Sequence, residues 1–112
     1  MEKEFVPYEE ALAMKKLGFD ETCLKGYCLN NPNSYLCDYP ISDYDLDRLE
    51  CDAPLYQQAF RWFRKVHNIH LLPVEMYPYI WSIDGYSETY SSFEEAELDC
   101  IRRLIEIATK KK

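Results

Sequence analysis

Glycine is scarce in this chain, with 3 among 112 residues. A phosphate-cradling loop needs glycine where backbone must approach the anion, and no such loop is present. Nor is there a zinc-protease motif or a nucleophile elbow. Basic charge is short as well: 13 Lys and Arg stand against 20 Asp and Glu, a net charge of -7. A general nucleic-acid binder needs a basic footprint that displaces phosphate counterions, so nucleic acid is not the expected partner. No apolar run approaches the roughly 18 residues of a membrane-spanning helix, and no membrane association is expected. Residues 1–10 have neither the basic start nor the apolar run of a signal peptide, so the expected location is the cytoplasm.

Closely spaced cysteine pairs are also missing. Cys23, Cys28, Cys37 and Cys51 cluster in the part with the fewest structural signals, and none is two residues from the next. That short gap is what turns consecutive thiolates onto one zinc ion, so the four are weak metal candidates and better read as small buried apolar residues. With five cysteines in all, at least one thiol stays outside any set of intramolecular disulfides. In the cytoplasm all five are expected to be reduced. His67 and His70 are the two histidines, and no local sequence marks a cysteine beside them as a nucleophile. The acidic stretch Asp38, Asp43, Asp45, Asp47, Glu50 and Asp52 lacks the glycine and alternating oxygen ligands of a calcium loop and reads as a solvated face.

Aromatic residues, in contrast, are plentiful, and ten of them are tyrosine. They organise the strongest helix signal, over residues 54–67. At 3.6 residues per turn, Leu55, Tyr56, Ala59, Trp62, Phe63 and Val66 share one stripe, with Phe60 at its edge and Arg61, Arg64 and Lys65 opposite. Asn68 is placed to take a left-handed stop that folds Ile69 back onto Phe63. A first helix is expected over 7–17, with Glu9 and Glu10 at its start, Lys15 and Lys16 at its end, and Gly18 as its stop. A last helix opens with Ser92 and Glu95, spaced as a capping box. Its buried stripe is Phe93, Ala96, Cys100, Ile101, Leu104, Ile107 and Ala108, with Asp99–Arg103 and Glu106–Lys110 as exposed pairs.

Between the last two helices the alternation is that of strands. Residues 69–76, 79–83 and 86–90 read as a meander joined at Tyr77-Pro78 and Asp84-Gly85. A two-residue turn at Asp84-Gly85 pairs Ile83 with Tyr86, Trp81 with Glu88 and Tyr79 with Tyr90. A two-residue turn at Tyr77-Pro78 pairs Met76 with Tyr79 and sets Leu72 and Val74 on that same face. Ile69, Leu71 and Ile80 then fall on the second face, where they want cover. The tyrosines and Trp81 of the meander invite a base-stacking reading, but residues 77–90 hold no basic residue. Residues 22–29 are compatible with a short strand or an extended arm. Residues 30–53 read as irregular, with a turn cluster at Asn30-Asn31-Pro32-Asn33-Ser34 and a helical turn within 43–49.

Three stretches carry a resemblance. They are Phe5-Val6-Pro7-Tyr8-Glu9-Glu10-Ala11-Leu12 leading to Leu17-Gly18-Phe19, the aromatic run from Ala53 to Lys65, and Ser92-Phe93-Glu94-Glu95-Ala96-Glu97 leading to Leu104-Ile105-Glu106-Ile107. In these the chain resembles a group of small uncharacterised proteins encoded by phages, prophages and mobile elements of Bacteroidetes. The resemblance implies an intracellular setting. Its motifs are structural, so no catalytic or binding residue comes with it.

The expected architecture is one α+β domain over 1–112, with three helices packed on a small antiparallel three-stranded meander in two layers. A long irregular acidic loop spans 30–53, and the tail 109–112 is expected to fray. The expected role is non-enzymatic and without cofactor: contact with a protein partner or a second copy, through a face that includes Ile69, Leu71 and Ile80. The alternatives are a nucleic-acid-associated module using the aromatic meander and a zinc-stabilised cysteine loop.

Overall fold

The first helix, α1 (Tyr8–Lys16), ends as its residues dictate. Gly18 stands at φ 105°, the left-handed region where a side chain is strained. Its N–H donates to the Lys15 carbonyl at 3.0 Å, and the Phe19 N–H donates to the Met14 carbonyl at 3.0 Å. These two bonds are those of a Schellman cap, and both Met14 and Phe19 are buried beside it. The computed structural model describes residues 4–30, 33–69, 71–72, 79–83, 86–90 and 92–111. Within it the chain forms two compact units, Met1–Leu55 and Tyr56–Lys112.

The first unit corrects the expectation for residues 30–53. In place of an irregular loop there is an antiparallel sheet of β1 (Lys25–Asn30), β2 (Asn33–Asp38) and β3 (Leu49–Ala53), ordered β2-β1-β3. A short helix, α2 (Asp43–Leu46), connects β2 to β3. Asn30 pairs with Asn33, so the predicted turn cluster does reverse the chain, between paired strands. The turn residues Asn31 and Pro32 lie outside the described residues. The reason for the sheet is burial of the central strand, where Gly26, Tyr27 and Cys28 are all buried. β3 supplies alternate apolar positions, with Cys51 and Ala53 buried and Glu50 and Asp52 half-buried. α1 packs against β3, and the Tyr27 hydroxyl donates to the Val6 carbonyl at 2.7 Å, tying the N-terminal segment to the central strand. At the other end of the unit, the Val6 N–H donates to the Pro54 carbonyl at 2.9 Å, and Phe5 forms a β-bridge with Leu55.

The second unit opens with α3 (Tyr56–Val66), which buries Tyr56, Ala59, Phe60, Trp62 and Phe63. Trp62 and Phe63 meet edge to face with ring centroids 4.9 Å apart. Asn68 stands at φ 53°, and the Ile69 N–H donates back to the Phe63 carbonyl at 3.3 Å. Val66 departs from the predicted stripe and is 56% exposed. It sits in the final turn of the helix, just before the chain reverses, and Ile69 is the apolar residue buried there instead.

An antiparallel sheet follows, of β4 (Leu71–Leu72), β5 (Tyr79–Ile83) and β6 (Tyr86–Tyr90), ordered β4-β5-β6. The β5–β6 register pairs Tyr79 with Tyr90, Trp81 with Glu88 and Ile83 with Tyr86, as the spacing predicts. The Asp84-Gly85 turn itself lies outside the described residues, as do the Tyr77-Pro78 turn and residues 73–76. β4 is shifted by one residue from the predicted pairing: Leu71 faces Ile83 and Leu72 faces Ser82. A two-residue turn at Tyr77-Pro78 would have set Leu72 opposite Ile83, the place that Leu71 takes. α4 (Phe93–Lys111) packs on α3, β5 and β6 and includes Thr109, Lys110 and Lys111 of the tail expected to fray. The Glu95 N–H donates to Ser92 Oγ at 3.2 Å, which is the serine half of the predicted capping box. Ala96, Cys100, Ile101, Leu104 and Ala108 are buried on it, and Lys110 meets Glu106 at 3.2 Å.

The α+β class holds, with the helices shared between two sheets rather than gathered on one meander. Among the described residues, no helix is long and apolar enough to cross a membrane.

Candidate functional site

Polar and sulfur chemistry concentrates in the first unit, where β2 and α2 meet. Ser42 caps α2, its Oγ accepting from the Asp45 N–H at 3.3 Å while donating to Asp45 Oδ2 at 3.0 Å. The other carboxylate oxygen, Oδ1, accepts from the Tyr35 hydroxyl at 2.7 Å. That bond pushes the Tyr35 phenol up to about 12 and holds the Asp45 carboxyl below its ordinary value. α2 is thereby moored to β2 through one aspartate. The helix buries none of its residues, and Tyr44 and Leu46 stand 71% and 56% exposed. The Arg48 guanidinium lies over the Tyr44 ring, 4.5 Å from its centroid, and braces it.

Beneath α2 lies a pair of thiols. Cys28 on β1 is opposite Tyr35, and Cys37 on β2 is opposite Gly26, so the cysteines are diagonal neighbours on one sheet face. Their sulfurs are 3.2 Å apart, with the Cys37 S–H directed at Cys28 Sγ. The Cys28 S–H in turn donates to the Asp45 carbonyl at 3.6 Å. Cys28 is wholly buried and Cys37 is half-buried.

A separate cleft of about 310 Å³ opens between the end of α1 and β3, lined by Lys15, Phe19, Asp20, Leu49, Glu50, Cys51 and Asp52. The Lys15 ammonium donates to the Glu50 carbonyl at 2.6 Å across it. Burial pushes the Cys51 thiol up to about 11, so it stays protonated at neutral pH, the reverse of an activated nucleophile. Outside the lining, Tyr39 hydrogen-bonds to Asp52, and burial first and that bond second raise its phenol.

The structure distributes the residues singled out in the sequence. Of the four cysteines weighed for zinc, Cys28 and Cys37 come together. The Cys23 S–H donates to the Glu21 carbonyl at 3.5 Å, and Cys51 lies on β3 opposite Tyr27. Among the described residues, no group of three or more His, Cys, Asp or Glu is arranged to hold a metal ion. His67 packs against Trp62, ring centroids 4.7 Å apart, and His70 lies outside the described residues. Ile69 is buried at the end of α3. Leu71 pairs with Ile83, and Ile80 pairs with Thr89. The Tyr35–Asp45 mooring and the thiol pair escaped sequence reasoning, since both need β2, which residues 30–53 conceal behind asparagine and aspartate.

No family model, curated protein or solved structure matches this chain.

Proposed function

We propose that this is a small cytoplasmic accessory protein, of the phage and prophage kind it resembles, which acts by contact with a protein partner and performs no catalysis of its own. The observation that supports this reading is α2, which holds Tyr44 and Leu46 in solvent on a helix with no buried residue. Covering such apolar surface is favourable by roughly 25 cal/mol per Å². Tyrosine and arginine are also the residues that interfaces favour, and Arg48 already orders the Tyr44 ring. Asp43 and Asp47 beside them are exposed, so the fitting partner offers an apolar pocket rimmed by lysine or arginine.

The test is Tyr44→Ser combined with Leu46→Ser, which removes the apolar tips while leaving the buried core untouched. The immobilised wild-type chain retains a basic partner from bacterial lysate at low salt, and the double variant, with an unchanged melting temperature, releases it. Equal retention by both proteins would sink the reading. Light scattering on the purified chain separates a second copy from a different protein as the occupant.

A further inference from the structure

We propose that Cys28 and Cys37 form a redox modification site: a dithiol that closes to an intramolecular disulfide when it meets a low-molecular-weight disulfide. The two sulfurs are 3.2 Å apart on adjacent strands, in contact and free of any existing bond. Their positions are diagonal across the β1–β2 ladder, so each side chain projects from the same sheet face and closure needs only side-chain rotation and a small approach of the strands. The remaining cysteines are engaged or buried elsewhere: Cys23 on the Glu21 carbonyl, Cys51 on β3 and Cys100 on α4.

Exposure sets the order of events. Cys37 is half-buried whereas Cys28 is wholly buried, so Cys37 is the thiol that an oxidant reaches. Its thiolate attacks one sulfur of the oxidant, forming a mixed disulfide and expelling one thiolate. The Cys28 thiolate then attacks Cys37 Sγ, forming the Cys28–Cys37 bond and expelling the second thiolate. Both cysteine protons end on the departing thiols. Two electrons pass from the pair to the oxidant, which leaves as two thiols.

Burial and the hydrogen bond to Cys28 push the Cys37 thiol up to about 12, so little thiolate is present at neutral pH and closure is faster at higher pH. Closure also changes α2. The Cys28 S–H that donates to the Asp45 carbonyl is consumed, and that carbonyl loses its sulfur partner.

The experiment treats the purified, reduced full-length chain with excess oxidised glutathione and follows intact mass, free thiols and a peptide map. The expected result is loss of two hydrogens, a fall from five free thiols to three, and one linked peptide joining Cys28 to Cys37. Cys51→Ser gives the same bond. Cys28→Ser stops at a glutathione adduct on Cys37. A wild-type chain that keeps all its thiols, that stops at the mixed disulfide, or that links either cysteine to Cys23, Cys51 or Cys100 overturns the proposal. Matching circular dichroism of Cys28→Ser and wild type establishes that the variant reports on chemistry in the folded chain, and Cys37→Ser, which takes up no glutathione at position 28, serves where it does not fold.

Discussion

The Tyr39 hydroxyl reaches the Asp52 carboxylate by lying across Gly26, the residue that pairs with Asp52 on the neighbouring strand. A Cβ at position 26 would stand 2.7 Å from the Tyr39 hydroxyl oxygen and 2.8 Å from a Leu49 methyl. A side chain at position 26 fits only if the ends of Tyr39 and Leu49 shift. Gly26→Ala is expected to cost about 1–3 kcal/mol through overpacking, and Tyr39→Phe about 1 kcal/mol through the lost hydrogen bond. Combined, they should cost less than their sum, because alanine already displaces the hydroxyl. Urea denaturation of the four proteins completes the cycle. Strict additivity would mean that the ring does not depend on the gap.

The left-handed residues Gly18 and Asn68 should respond differently to substitution. Gly18→Ala forces a side chain into φ 105° and is expected to lose about 1 kcal/mol. Asn68→Gly relieves a side chain at φ 53° and is expected to stay within about 0.5 kcal/mol of wild type or to gain stability. Thermal melts of the two variants decide this, and a neutral Gly18→Ala would count against the cap.

The Tyr35–Asp45 bond has a pH signature with two edges. Tyr35 is raised in the folded chain from 10.0 to about 12, so its contribution is complete below pH 10.0 and lost as pH rises toward 12. Asp45 is lowered from 3.8, so its contribution is present above pH 3.8 and lost as pH falls through the lower folded value. In an NMR titration, the Asp45 carboxyl should have a midpoint below 3.8, and Tyr35→Phe should move it upward. An unchanged midpoint in Tyr35→Phe would remove the tyrosine as the principal cause.

On α3, Phe63 and Val66 separate packing from pattern. Phe63 is wholly buried, and Phe63→Ala is expected to cost about 3–5 kcal/mol. Val66 is exposed, and Val66→Lys should stay within about 0.5 kcal/mol. Equal losses in equilibrium denaturation would show that position 66 packs after all.

Legibility in the sequence follows the range of the interactions. Local devices can be read directly: the stop at Gly18, the turn at Asn68, the Ser92 cap and the Asp84-Gly85 register each depend on residues a few positions apart. Residues 30–53 hide their strands because Asn, Asp and Glu are poor strand formers by composition, although Cys28 and Cys51 are buried as their size and polarity suggest. The alternation of Leu49, Cys51 and Ala53 with Glu50 and Asp52 is the signal that would have exposed β3. The thiol pair is invisible until β1 and β2 are paired, since nine residues separate its members. The one-residue shift of β4 sets Leu71, not Leu72, opposite Ile83, and strand alternation alone does not fix that register.

The bridge between Phe5 and Leu55 brings the beginning and the end of the first unit to the same place. The chain thus departs at position 5 and returns at position 55 within the span of one β-bridge. To its connection with the following helix, such a segment is a closed loop of negligible end-to-end length. The two ends of the unit are thereby pinned to one another, whatever the length of the turns between them.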